Sequence, residues 1–174
     1  MTGNTMAPSG RGQKQAVTWL AIGLLTAIAL SIWLAAARPG GAATTEYLVV
    51  DRHTGLAISG FDPMAYFIDG GPRLGKSEIE LRHAGAVWRF RNEGNRAAFA
   101  AHPEVYAPRF GGYDAIGVSR GAAVPGDPRV WALAGERLYL FSTPENKRAF
   151  AAETPQTIAA ADKRWPAVQL TLSP

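Results

Sequence analysis

The chain has 174 residues, enough for one domain with its own core and too few for two, with 18 Lys and Arg against 14 Asp and Glu. Three of the basic residues, Arg11, Lys14 and Arg38, precede the first acid, Glu46, which leaves 15 basic and 14 acidic groups and no concentrated positive face for nucleic acid. There is no cysteine, so disulfides, thiolate nucleophiles, iron–sulfur clusters and cysteine-based zinc sites are excluded.

Residues 1–15 are polar, with three Gly and one Pro, and read as a disordered tail. Residues 16–37, AVTWLAIGLLTAIALSIWLAAA, hold no charge and are long enough, at about 1.5 Å per residue, to cross a hydrocarbon core of roughly 30 Å. Trp19 and Trp33 stand near the two ends, where indoles favour the membrane interface. Arg11 and Lys14 before the segment outnumber Arg38 after it, which points to a cytoplasmic N-terminus and an exported, periplasmic C-terminal domain. Ala35, Ala36 and Ala37 also fit a signal-peptide cleavage pattern, but the apolar run exceeds the usual signal length, which favours a retained anchor. Residues 38–46 are rich in Gly, Pro, Ala and Thr and read as a tether, and the globular domain is expected over 47–174.

Within that domain one pattern occurs twice. HAGAVWRFRNEGNRAAFAA, from His83 to Ala101, lines up with LAGERLYLFSTPENKRAFAA, from Leu133 to Ala152. In each copy an Ala-Gly turn leads into an aromatic-rich strand ending at Phe90 or Phe141, an Asn follows at 95 or 146, and the copy closes on AFAA. The physical reading is hairpin then helix, with Asn92 capping the first helix and Ser142 or Thr143 the second, where Pro144 and Glu145 suit the first turn. Two such units predict a small α+β domain in which the hairpins share one antiparallel sheet. Trp88, Phe90, Phe99, Trp131, Tyr139, Phe141 and Phe150 are expected as core.

Ahead of the first unit, GFDPMAYF (60–67) sets Asp62 before Pro63, a helix-start signal, and at the far end ADKRWPAV (161–168) reads as a helix stopped by Pro166. With AVWRF, ENKRAF and the RFGGYD run at 109–114, these motifs in this order resemble the YHS domain family in its exported form, over about Leu56 to Val168. The resemblance implies a small α+β module of the kind that accompanies metal-handling proteins, with cysteine or selenocysteine usual after Gly-Gly-Tyr. This chain has Asp114 there, a hard oxygen ligand that favours Mg, Ca, Mn or Zn over Cu(I) and supports no thiol chemistry.

Three roles compete for Asp114: a structural cap after two glycines, a ligand in a metal or small-molecule cleft, and a catalytic acid or base. The family's setting puts Asp62, Tyr66, Gly111, Gly112, Tyr113 and Asp114 around any cleft that exists, with His53, His83, His102 and Met64 as further ligand candidates. Gly111 and Gly112 could cradle a phosphate, although no Lys-Ser/Thr follows, and otherwise serve a bend of positive φ. No nucleophile–base pair or cofactor motif stands out. The expected function is a membrane-tethered, non-enzymatic binding or accessory module, with metal handling as one form and a protein-interaction module with a purely structural Asp114 as the alternative.

Overall fold

The computed structural model describes Met1 and residues 48–172. The tail, apolar segment and tether expected at 1–15, 16–37 and 38–46 lie, Met1 apart, outside the described residues; among those described, no helix is long and apolar enough to cross a membrane. The described residues from Leu48 onward belong to one compact unit.

That unit is α+β, and it is the same half built twice. The first half opens on a 3₁₀ turn at Ile58–Gly60, followed by a short helix α1 (Ala65–Ile68), the hairpin β1 (Lys76–His83) and β2 (Ala86–Phe90), and α2 (Glu93–Ala101). A one-turn helix α3 (Pro103–Tyr106) connects to the second half. This repeats the order with a 3₁₀ turn at Arg109–Gly112, α4 (Ala115–Ser119), β3 (Asp127–Ala134) with β4 (Arg137–Phe141), and α5 (Pro144–Ala152). A final helix, α6 (Thr154–Gln169), closes the chain.

The correspondence extends to individual hydrogen bonds. Gly75 N–H donates to the Gly60 carbonyl at 2.9 Å, and Gly126 N–H to the Gly112 carbonyl at 3.0 Å. Asp62 N–H donates to Arg73 and Asp114 N–H to Val124, each at 2.8 Å. Both hairpins carry the same irregularity, between Lys76 and Glu80 and between Asp127 and Trp131. Both opening turns force non-glycine residues into the left-handed region, at Ile58 and Ser59 in the first and Phe110 in the second. Such strain often marks a functional site, but its presence in both halves makes it a requirement of the architecture.

The helix caps follow the sequence reading. Asn92 accepts from Asn95 N–H at 2.8 Å, and of the two candidates in the second copy it is Thr143 that caps, accepting from Asn146 N–H at 3.2 Å. Phe99 then drops onto β2, with its ring 4.8 Å from Trp88 and 5.4 Å from Phe90, as Phe150 drops onto β4, 5.0 Å from both Tyr139 and Phe141. Six of the seven aromatics expected in the core are buried; Trp131 is half-buried beneath the Lys147 ammonium.

Two expectations need correction. The hairpins do not share a sheet; each is a separate two-stranded sheet. The second edge of each inner strand is engaged within its own half, by Leu56 bridging to Val87 on β2 and by Asp114 bridging to Leu140 on β4, so the hairpins do not pair through those strands. Pro166 does not stop the last helix, which runs through it to Gln169. The proline falls in the final turn, where it costs one backbone bond, and Val168 beyond it is buried and holds the helix in place.

Candidate functional site

Asp114 is completely buried, and its carboxylate gathers five donors. Oδ1 accepts the amides of Ile116 at 2.8 Å and Gly117 at 3.3 Å, which caps α4. Oδ2 accepts the Ser142 amide at 2.8 Å, the Ser142 hydroxyl, and the Asn146 side-chain amide at 2.6 Å. One side chain thus binds the start of α4 to the end of β4 and the first turn of α5. A carboxylate offers about four lone-pair positions, so five donors leave none for a metal ion.

Asp62 is the same device in the first half. It is also completely buried, accepting Met64 N–H at 2.9 Å on Oδ1, and Arg91 N–H at 2.8 Å with the Asn95 side-chain amide at 2.6 Å on Oδ2. Arg91 and Ser142 each follow the last residue of a strand, and Asn95 and Asn146 each stand in the first turn of the following helix. Asp62 therefore starts a turn, as its place before Pro63 suggests, but α1 begins three residues later and the carboxylate's larger task is the long-range clamp.

The remaining expected site residues are each engaged in the scaffold. The Tyr66 hydroxyl is buried and donates to the Pro128 carbonyl at 2.9 Å, tying the first half to β3; burial and the nearby Asp127 carboxylate raise its pKa. Gly111 and Gly112 make the bend of positive φ, with their carbonyls occupied by Val49 N–H at 2.8 Å and Gly126 N–H at 3.0 Å. Tyr113 is half-buried, 6.1 Å from Trp165 between ring centres, and burial raises its pKa.

The other ligand candidates are dispersed. Met64 is core. His53 lies on an exposed turn, His83 stands edge-on to Phe99, and His102 caps between α2 and α3 and faces Glu104 at 3.5 Å. Among the described residues no three His, Asp or Glu side chains are grouped to hold a metal.

Burial by itself would raise the Asp114 pKa, but the Ser142 hydroxyl and amide, the Asn146 amide and the Gly117 amide outweigh it and hold the carboxyl below its ordinary value. This makes Asp114 a poor general base. It also fixes a pH signature: a depressed folded pKa adds stability that is present above the ordinary carboxylate value and lost as pH falls through the folded one. The stability gap between wild type and Asp114→Asn should therefore be constant near neutrality and narrow below about pH 4, as followed by urea unfolding across an acid series. A gap unchanged down to pH 2 would mean that the carboxylate charge is not what the donors hold.

Sequence reasoning missed Ser142, Asn146 and Asn95 as partners. The available signal was the recurrence of Gly-aromatic-Asp, at 60–62 and 112–114, together with the paired asparagines. No family model matches the sequence, and no curated protein or solved structure matches it either.

Proposed function

We propose that the chain is a membrane-tethered, extracytoplasmic, non-catalytic binding or accessory module in which Asp62 and Asp114 hold the scaffold and recognition is made by the surface. Of the two forms expected from the sequence, the interaction module with a structural Asp114 is favoured over metal handling. The observation that carries this choice is the filled carboxylate: five donors on a completely buried group, repeated in kind at Asp62. Catalysis is disfavoured for the same reason, since a carboxyl held below its ordinary pKa is a weak proton acceptor and the Ser142 hydroxyl is bound between Asp114 and the Asn146 amide. The ordered motifs shared with YHS domains support a module of this size and class.

The test is metal content and calorimetric titration with Zn, Mn and Ca on the purified full chain, with Asp114→Asn beside it. The expected result is no stoichiometric metal and no heat that depends on position 114. One metal ion per chain, lost in a still-folded Asp114→Asn protein, would overturn this reading in favour of metal handling. The topology is tested separately by fusing a reporter active only outside the cytoplasm to the C-terminus: activity supports export, and its absence, with the fusion intact, refutes it.

A further inference from the structure

The segment that begins at Leu48 lies against the Gly111–Gly112 bend. Beyond the Val49–Gly111 hydrogen bond, the Val49 Cβ stands 3.6 Å from the point where a side chain on Gly112 would begin. Val50 then bridges to Ala57 across a turn in which the Asp51 carboxylate accepts the amides of His53 and Thr54, each at 2.9 Å. Those amides hold the Asp51 pKa below its ordinary value and engage its charge within its own turn. Arg52 beside it is exposed, and its positive charge reaches Tyr113.

Between this segment and the second half runs an open groove of about 440 Å³. Leu48, Val49, Val50 and Pro125 give it apolar walls, Arg52 and Tyr113 supply a guanidinium and a phenol, and the Asp51 carboxylate, bonded within its own turn, also lines it. Its position along the chain identifies an occupant. Ten residues, 38–47, separate Leu48 from the end of the apolar segment, and ten residues of chain reach at most about 35 Å, less as a flexible coil. An anchor in the bilayer therefore holds this groove within reach of lipid headgroups, at an effective concentration that makes even a weak site useful.

We propose that the groove docks the headgroup of an anionic phospholipid of the membrane that holds the anchor. The phosphate is taken by Arg52 and the Tyr113 hydroxyl, and the glycerol and first methylenes lie along Leu48, Val49, Val50 and Pro125. The juxtaposition of a guanidinium and a phenol with an apolar strip, beside a carboxylate that already accepts two amides of its own turn, fits an amphipathic anion better than a free inorganic one. The proposal deepens the binding-module reading and rests on its membrane tether.

The experiment places the full chain in nanodiscs of phosphatidylcholine, alone or with phosphatidylglycerol, and follows hydrogen exchange of residues 48–57 and 110–126. Exchange there should slow severalfold with phosphatidylglycerol, lose that slowing in Arg52→Glu, and keep it in Arg148→Glu, a charge reversal on an exposed residue of α5. Equal exchange in both lipids overturns the proposal, as does slowing that persists in Arg52→Glu, which would reflect general attraction to a charged surface. Slowing by soluble glycerol phosphate over phosphatidylcholine alone would assign the groove to a free phosphate ester and overturn the lipid source. A chain that does not enter nanodiscs refutes the tether itself, an outcome separate from failure at the groove.

Discussion

Replacing Asp114 by Ala is expected to destabilise the domain by about 3–5 kcal/mol, a fall in Tm of roughly 10 °C for a chain of this size, because five donors are left facing an apolar methyl. Three of those donors are backbone amides of Ile116, Gly117 and Ser142, and none can turn away without breaking the start of α4 or the end of β4. Asp114→Asn keeps the volume and one acceptor oxygen but points an NH₂ group at donors, so it should cost about half as much. Asp62→Ala should behave alike, losing the Met64 and Arg91 amides and the Asn95 side chain. Thermal and urea unfolding of the four proteins checks this. A residue kept for binding or chemistry tends to be held against the interest of stability, so an Asp114→Ala protein as stable as wild type, or more so, would return Asp114 to the list of functional groups.

The sequence exposed the downstream part of each half and concealed the upstream part, for a physical reason. From the Ala-Gly turns to AFAA, strand alternation, the Asn92 and Thr143 caps and the inward Phe99 and Phe150 are local, and local rules set them. The clamps are not local. Asp62 finds Asn95, and Asp114 finds Asn146, across a helix, a loop and a hairpin, and no periodicity records such a contact. Between them the two copies diverge where they pack differently: Pro63–Tyr66 supplies a buried hydroxyl to Pro128, whereas Ala115–Val118 forms an apolar helix packed against α6. Asp114 taken alone therefore invited comparison with a ligand, when its nearest likeness was Asp62 in the same chain. The division into two sheets was equally hidden, since alternation predicts that strands pair and does not specify with which edge.

Glycines 75 and 126, which belong to no recurring motif, are expected to tolerate substitution as poorly as the clamps do. A Cβ on Gly75 would stand 2.4 Å from the Arg89 carbonyl carbon and 2.6 Å from its oxygen, and one on Gly126 would stand 2.6 Å from the Leu140 Cβ and 2.8 Å from the Gly112 oxygen. These are backbone and buried side-chain atoms, so the strand must move to relieve the overlap. Gly75 and Gly126 each donate to the opening turn of their own half, so that movement also pulls on the bend beside Asp62 or Asp114. Gly126→Ala and Gly75→Ala should each cost about 2–4 kcal/mol, at or above the upper range for overpacking because backbone is displaced. Gly135→Ala is the control: its Cβ would meet nothing within 4 Å, though its positive φ still adds about 1 kcal/mol of strain. Unfolding midpoints for the three variants decide the matter. If Gly126→Ala costs no more than Gly135→Ala, the close approach of β3 to β4 and the Gly112 turn is not what fixes glycine there; if it costs several times more, the hairpin and the clamp in each half form one mechanical unit.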